Sequence, residues 1–384
     1  MPEPRIHRLR IAEVIDETAD ARSLVFEPHP QLPYVPGQFL TFKLPGREGG
    51  AAARCYSLAS SPHTGEPMKV TVKRVPGGHG SNWLCDHARP GTELEVLPPA
   101  GTFTPAGLDT DLLLIAGGSG ITPVMSVLKS ALTQGTARHV LLYANRSESA
   151  VIFRGELREL AEDYPDRLVV LHWLESLQGM PDPGRLAAVL APHVGREAYL
   201  CGPQPLMDAA EQALRGLGAP RGRLHRERFF SLSGAAAFEA VGPVEPPEAV
   251  EAVEANGADR PGGPARPDAG AATTLTVELD GETHQVRWPV GTLLLDALLA
   301  AGVDAPYSCR EGACAACTCR VVSGEVAMAH NEVLDAEDLA EGYVLACQAV
   351  ATGGEVEITN AVTYTQHRPH HTLTHHRFPV VGLN

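Results

Sequence analysis

From Arg5 to about Pro105, apolar and polar residues alternate in short runs broken by proline and glycine. Six runs stand out: Ile6 to Ile15, Ser23 to Phe26, Phe39 to Phe42, Cys55 to Leu58, Met68 to Val75 and Glu93 to Val96. Alternation of period two without a long helical period predicts a small antiparallel β-barrel. After Asp111 the pattern changes. Apolar runs at Leu112 to Ala116, His139 to Tyr143, Leu168 to Trp173, Arg185 to Leu190 and Ala198 to Cys201 are expected as strands. Helical patterns over Pro123 to Leu132, Phe153 to Ala161 and Pro205 to Leu214 fall between them. Strands alternating with helices predict a doubly wound α/β domain around a parallel sheet. Further on, Thr274 to Leu279 and His284 to Trp288 read as a hairpin and Leu293 to Ala300 as a helix, the start of a third, small α+β domain.

Between the second and third domains, Ser233 to Ala272 is rich in Ala, Pro, Glu and Gly and holds a single aromatic residue, Phe238. Such a composition cannot bury enough apolar surface to order itself, so a semi-extended acidic tether is expected there. The predicted boundaries are 1–106 for the barrel, 107–232 for the α/β domain, 233–272 for the tether, 273–362 for the third domain and 363–384 for a tail. The tail carries His367, His370, His371, His375 and His376 without carboxylate or cysteine partners at a fixed helical spacing, which favours a loose tail over a metal site.

A chain of 384 residues is long enough for two to four domains. Its 44% hydrophobic and 20% charged residues are the balance of a globular protein. A net charge of -15 argues against a nucleic-acid partner, whose phosphates need a basic face. No apolar run approaches the roughly 18 to 20 residues of a membrane-spanning helix. The N-terminus shows no charged stretch leading into an apolar one, as a secretory signal would, so a cytoplasmic location is expected.

Eight cysteines are present, and Cys309, Cys314, Cys317 and Cys319 are crowded together while the others are scattered. In a reducing compartment, crowding points to a metal or cluster rather than disulfides. Cys309, Cys314 and Cys317, followed at a distance by Cys347, have the C-x4-C-x2-C spacing of a plant-type [2Fe-2S] centre. Gly312, Ala313, Ala315 and Ala316 are small enough for the loop to close on a cluster and aim its N–H groups at the sulfurs. A zinc ribbon would use two paired knuckles, whereas the second half here is Cys347 alone. No histidine replaces a ligand as in a Rieske centre. Cys319, at the start of a strand, is expected as a buried spare thiol facing the same way as Cys317.

Other motifs concern phosphates. Arg54-Cys55-Tyr56-Ser57 sets an arginine, a ring and a hydroxyl beside one strand, and Gly77-Gly78-His79-Gly80-Ser81 is a glycine turn entering a helix whose free N–H groups suit a pyrophosphate. At Gly117-Gly118-Ser119-Gly120-Ile121-Thr122-Pro123 a strand runs through glycines into a helix with proline in its first turn. Cys201-Gly202-Pro203 repeats the design at another carboxyl end of the sheet, the edge along which dinucleotides bind.

In this order, Arg54-x-Tyr56-Ser57, Gly78-x-x-Ser81, Gly117-Gly118-x-Gly120-Ile121-Thr122-Pro123 and Cys201-Gly202-Pro203 resemble the ferredoxin-NADP reductase superfamily. With a plant-type ferredoxin module added, the chain is similar to three-domain reductase components of bacterial oxygenases, notably those of phenylacetyl-CoA epoxidase and 3-ketosteroid 9α-hydroxylase. The likeness covers about residues 5–230 and 274–362 and implies a β-grasp fold for the ferredoxin domain. It implies that Arg54 pairs with an FAD pyrophosphate, that Tyr56 lies against the isoalloxazine with Ser57 near its N5, and that Gly78, Gly80 and Ser81 hold the pyrophosphate. Val72 and Lys73 would also line the cofactor site. Gly118, Gly120, Thr122, Gly202 and Pro203 would receive the nicotinamide dinucleotide, with Cys201 orienting its ring; a buried small residue at a strand end is the other reading of Cys201. Glu227 and Phe229, in His225-Arg226-Glu227-Arg228-Phe229, would stand close to the flavin, although a last strand with alternating charges would look much the same. Arg146 and Ser147 suit a 2′-phosphate, but an exposed arginine at a strand end is as often solvated. NADPH and NADH both stay open, with the weight on NADPH.

Hydride transfer moves two electrons and a [2Fe-2S] cluster accepts one, so a flavin between them performs the division. The expected function is electron transfer from NAD(P)H through FAD and the cluster to an oxygenase, by a monomer. The same chain of carriers would serve a desaturase, a cytochrome P450 or a hybrid-cluster protein, and a redox sensor without sustained turnover is the reading from another class.

Overall fold

The computed structural model of the chain describes residues 6–29, 32–46, 49–229, 238, 272–279, 281–352, 354–360 and 381–382. The expected tether lies outside these residues except at Phe238 and Ala272, as does the His-rich tail except at Val381 and Gly382. Two compact units divide after Phe238.

The first unit opens with β1 (His7–Thr18), β2 (Ala21–Phe26), β3 (Phe39–Pro45), β4 (Ala51–Ser57), β5 (Lys69–Lys73), α1 (Gly80–His87) and β6 (Glu93–Val96). The six strands form one sheet in the order β4-β3-β6-β1-β2-β5, with antiparallel pairs throughout. The sheet curls until its edges meet, Leu58 bridging Val70 and the Ala59 N–H donating to the Lys69 carbonyl at 2.8 Å. Alternation is the cause: Leu9, Ile11, Leu24, Leu40, Phe42, Leu44, Val70, Val72 and Val96 are all buried in one core.

The unit continues through β7 (Leu112–Gly117), α2 (Ile121–Gln134), β8 (His139–Asn145), α3 (Arg154–Asp163), β9 (Leu168–Leu174), the single turn α4 (Glu175–Gln178), α5 (Pro183–Leu190), β10 (Glu197–Cys201), α6 (Gln204–Gly216) and β11 (Leu224–Glu227). These strands pair in parallel in the order β11-β10-β7-β8-β9. One core cluster gathers α2, α3 and one face of the sheet, and a second gathers α5, α6 and the other. Arg185 to Leu190, expected as a strand, is helical. Asp182 caps α5 by accepting the Arg185 N–H at 3.1 Å, Pro183 takes a first-turn position, and the buried Leu186 and Leu190 lie one turn apart. A short apolar run has no period of its own, and here the cap decided.

Phe238 also departs from expectation. Its side chain is 8% exposed, and Lys43 Nζ stands 5.9 Å from its ring centroid. The chain is thus packed at Phe238, five positions into the expected tether, because one aromatic ring removes enough apolar surface from water to hold a residue down.

In the second unit, β12 (Ala272–Leu279), β13 (Glu282–Pro289), α7 (Leu294–Ala300), β14 (Thr318–Ser323), β15 (Val326–Met328), α8 (Ala336–Ala340), β16 (Tyr343–Leu345), β17 (Ala349–Ala351), β18 (Glu355–Asn360) and β19 (Val381–Gly382) follow in order. A mixed sheet runs β13-β12-β18-β14-β16, and a small one runs β17-β15-β19. β12 and β18 are the parallel pair of the larger sheet. The fully buried Trp288 anchors the core, its indole N–H donating to the Thr292 carbonyl at 2.8 Å. Among the described residues no helix is long and apolar enough to cross a membrane.

Candidate functional site

The inward face of β4 carries Arg54 and Tyr56, which sit opposite Phe42 and Leu40 of β3. The Tyr56 ring meets Phe42 edge-on with centroids 5.7 Å apart, and burial pushes its phenol pKa up. Ser57 closes the strand at 5% exposure. Arg54 lies at the start of α1: a Cβ at Gly80 would fall 2.8 Å from Arg54 Cγ and 3.1 Å from Leu44 Cδ1. Only glycine lets the helix end approach the guanidinium this closely, and the first turn of α1 leaves amide N–H groups without intrahelical acceptors beside it. A guanidinium and a helix N-terminus side by side suit a pyrophosphate, the donor set an FAD requires.

The turn before α1 is closed by its own residues. Gly78 donates its N–H to the Val75 carbonyl at 2.8 Å, Ser81 Oγ accepts the Val75 N–H at 3.1 Å, and the Asn82 amide donates to the Val75 and Gly78 carbonyls at 3.1 and 2.5 Å. The Ser81 hydroxyl therefore holds the turn, and its backbone amide is the group left for a phosphate. Val72 turns its side chain into the barrel core at 1% exposure, so only its main chain can reach a ligand.

Two glycine loops interlock at the carboxyl edge of the parallel sheet. A Cβ at Gly120 would lie 2.1 Å from the Cys201 carbonyl oxygen, one at Gly117 2.8 Å from Pro203 Cδ, and one at Gly202 2.9 Å from the Gly117 nitrogen. Backbone packs on backbone here, which side chains would prevent. Gly118 adopts φ +51, and its carbonyl accepts the Tyr143 hydroxyl at 3.0 Å; Thr122 Oγ1 bonds the Ser119 carbonyl at 3.0 Å. Lys73 of β5 reaches this loop as well, its Nζ 3.8 Å from where a Gly118 Cβ would stand and 3.7 Å from Asp20 Oδ2. The six-stranded sheet and the parallel sheet thus meet at this loop.

Cys201 and Glu227 are register partners across β10 and β11 at that edge. Burial pushes the Cys201 thiol up, with the neighbouring Glu227 adding to the shift, and burial raises the Glu227 carboxyl to about 8. Phe229 is 50% exposed beyond the end of β11. Arg146 is exposed after β8, and Ser147 Oγ lies 3.0 Å from Ser149 Oγ.

Charged side chains also connect the two halves of the unit. Lys69 Nζ meets Glu156 at 3.0 Å, and Lys129 Nζ meets Glu156 at 2.8 Å and Glu66 at 2.7 Å. Ser126 and Ser130 of α2 bond the Ser60 carbonyl at 2.6 Å and the Ser61 hydroxyl at 2.8 Å. Nothing in the spacing of these residues announces the network; a lysine in an apolar helix reads as a snorkelling surface residue.

In the second unit, Cys309, Cys314, Cys317 and Cys347 lie close together and form no disulfide. Among the described residues no three His, Cys, Asp or Glu side chains gather around a single-ion position. The thiols contact in series instead: Cys309 with Cys314 and Cys347, and Cys347 with Cys317. Hydrogen bonds from the other thiols, and from backbone amides, pull the Cys309 pKa far down, while Cys347, on the donating side, is pushed up. The Glu311 and Ala313 N–H groups point at Cys309 Sγ (3.3 and 3.4 Å), that of Cys309 at Cys314 Sγ (3.4 Å) and that of Cys347 at Cys317 Sγ (3.5 Å). Arg310, Gly312 and Ala315 reach this arrangement with φ of +58, +75 and +55. Four thiols, three of them with backbone amides aimed at their sulfurs, suit the donor set that an iron–sulfur cluster requires. Cys319 is buried at 7%, and burial raises its thiol pKa, which keeps it protonated. The cysteine spacing does not point to Gln348, whose amide lies 3.8 Å from Cys347 Sγ; its place next to Cys347 was the available signal.

Three family models match the chain in order: an oxidoreductase FAD-binding domain over residues 8–104, an oxidoreductase NAD-binding domain over 114–212 and a 2Fe-2S iron-sulfur cluster binding domain over 277–352. The chain is 52% identical over 89% of its length, and 93% of the relative's, to the ferredoxin reductase component of 3-ketosteroid-9-alpha-monooxygenase from Rhodococcus rhodochrous. It is 35% identical over 92% of its length, and 97% of the relative's, to one of the subunits of 1,2-phenylacetyl-CoA epoxidase from Escherichia coli. Phthalate dioxygenase reductase, a modular structure for electron transfer from pyridine nucleotides to [2Fe-2S], superposes with a TM-score of 0.52 at 23% identity, covering 92% of this chain and 98% of that one. With an FAD-binding, an NAD-binding and a [2Fe-2S] domain in this order, the chain belongs to the family of ferredoxin reductase components of monooxygenases.

Proposed function

We propose that this reductase component takes a hydride from NAD(P)H at the cleft edge of the first unit and delivers single electrons from the second unit to an oxygenase. The observation that carries the reading is the reach of Lys73, on a barrel strand, to Gly118 in the nucleotide loop, which joins flavin-type and nicotinamide-type residues at one place. FAD supplies the conversion of a two-electron donor into one-electron steps, and the [2Fe-2S] cluster supplies a one-electron outlet.

The residues divide the work. Arg54 and the Gly80 and Ser81 amides bind the FAD pyrophosphate, Tyr56 packs on the ring system and Ser57 donates a hydrogen bond to it. The Gly118, Gly120, Thr122, Gly202 and Pro203 backbone receives the dinucleotide, and Cys201 keeps water from the nicotinamide. Glu227, its carboxyl held neutral at pH 7, sets no anion beside the hydride's path. Arg146 and Ser147 meet a 2′-phosphate, so NADPH is the proposed donor. Cys309, Cys314, Cys317 and Cys347 hold the cluster. In this reading the six-stranded sheet is the flavin barrel, the parallel sheet is doubly wound and the sheet of the second unit is a β-grasp.

The activity for which the 52% identical relative is named supports an oxygenase acting on 3-ketosteroids as the partner. The chain itself is proposed to act as a cytoplasmic monomer. The purified protein is expected to carry one FAD and one [2Fe-2S] cluster, to reduce cytochrome c continuously with NADPH, and to support turnover by a 3-ketosteroid oxygenase component. Zinc without acid-labile sulfide would refute the cluster assignment. Flavin reduction without sustained turnover would point to a sensor.

A further inference from the structure

Gln348 follows Cys347 and belongs to no ligand set. Its side-chain nitrogen lies 3.0 Å from the Arg310 carbonyl oxygen and 3.8 Å from Cys347 Sγ. A carbonyl can only accept, so the NH2 end of the amide faces the loop, and each of its hydrogens has an acceptor there. The main chain of Gln348 is itself held, its N–H donating to the Leu345 carbonyl at 2.8 Å and its carbonyl accepting the Ala329 N–H at 2.9 Å. Gly312 is where the side chain crosses the loop, since a Cβ there would lie 3.0 Å from Gln348 Cγ and 3.0 Å from the His330 carbonyl oxygen. Arg310 presents its carbonyl from the left-handed region, at φ +58, and its guanidinium is tied to Asp296 of α7. One amide therefore joins the sulfur of the distant cysteine to the backbone between Cys309 and Cys314.

We propose that Gln348 is a positioning residue for electron transfer, which raises the reduction potential of the cluster by donating to Cys347 Sγ and clamping the Arg310 carbonyl. Adding an electron makes the centre more negative, and a donor on a ligand sulfur stabilises that form more than the oxidised one. The proposal rests on the reading of Cys309, Cys314, Cys317 and Cys347 as the ligands.

The test is an EPR-monitored redox titration of the full-length protein beside its Gln348→Leu, Gln348→Glu and Asp296→Asn variants. Gln348→Leu is expected to keep its iron and sulfide and to lower the one-electron reduction constant tenfold, about 59 mV. Gln348→Glu, which turns an anion toward the sulfur, is expected to lower it further. Asp296→Asn releases the Arg310 guanidinium, removes an anion and keeps the amide, so its potential is expected to stay or to rise, and not to fall. Loaded Gln348 variants at the original potential, or a fall in Asp296→Asn as large as that of Gln348→Leu, would overturn the proposal. Should the Gln348 variants fail to load, the unaltered protein labelled with 15N in its glutamine amides decides: pulsed EPR of the reduced cluster is expected to show an amide coupling, and its absence overturns the donor role. Cys347→Ser separates the two levels, because an unchanged cluster in that variant brings down the ligand reading itself.

Discussion

Glu227 lies beside Cys201 at the carboxyl edge of the parallel sheet, and burial lifts its carboxyl from the ordinary 4.5 to about 8. The fold therefore favours the protonated form. The stabilisation is complete below about pH 4.5, where folded and unfolded chains are both protonated, and it is lost as pH rises toward 8 because only the unfolded chain ionises freely. Glu227→Gln stays neutral throughout and is expected to remove this part of the slope. Denaturant unfolding at pH 5 and pH 8 measures it: the unaltered protein should lose about 1 to 2 kcal/mol more than the variant between the two, a range kept modest because Glu227 retains partial solvent contact. Parallel pH profiles would place the raised pKa elsewhere.

Among elements, the contact of β5 with α2 and α3 fixes how the barrel meets the parallel sheet. Lys129, 5% exposed, and Lys69, 9% exposed, share Glu156, and Lys69 also stands 4.9 Å from the Phe153 ring centroid. The two lysines hold the Glu156 carboxyl below its ordinary value against the opposing effect of burial. Removing one member leaves the others uncompensated, whereas replacing the set with apolar side chains does not. Glu156→Gln is expected to destabilise the first unit by about 3 kcal/mol, and the combined Lys69→Met, Lys129→Met, Glu156→Leu and Glu66→Gln variant, which leaves no member of the set charged, by less than that single change. Urea unfolding compares them, and a combined cost equal to the sum of single costs would mean that the charges act independently.

At the scale of the molecule, the cores are separate. Cys317 and Cys347, two of the proposed cluster ligands, lie in the core of the second unit, and the flavin- and nucleotide-type residues lie in the first. Cys314→Ser is therefore expected to abolish reduction of one-electron protein acceptors while flavin reduction by NAD(P)H keeps its rate. Stopped-flow absorbance of the flavin beside a cytochrome c assay distinguishes the two. Loss of both activities would show that the units do not work as modules.

The cysteine spacing, the glycine loops and the alternation of the barrel strands were legible in the chain because each is a local pattern: a loop's ligands, a turn's φ angles and a strand's inward face depend on near neighbours. The spacing that marked Cys309, Cys314 and Cys317 left Cys347 only as a distant partner, and it is the fold that sets it against Cys309 and Cys317. Arg185 to Leu190 was ambiguous for the same reason, since a short apolar run carries no period, and the Asp182 cap with tertiary burial made it helical. Only the tertiary structure paired Cys201 with Glu227, brought Lys73 to Gly118, joined Lys129 to Glu66 and laid Gln348 over Arg310. These partners are remote in sequence, so no local period records them; each contact exists only where folding returns one part of the chain to another and removes both groups from water.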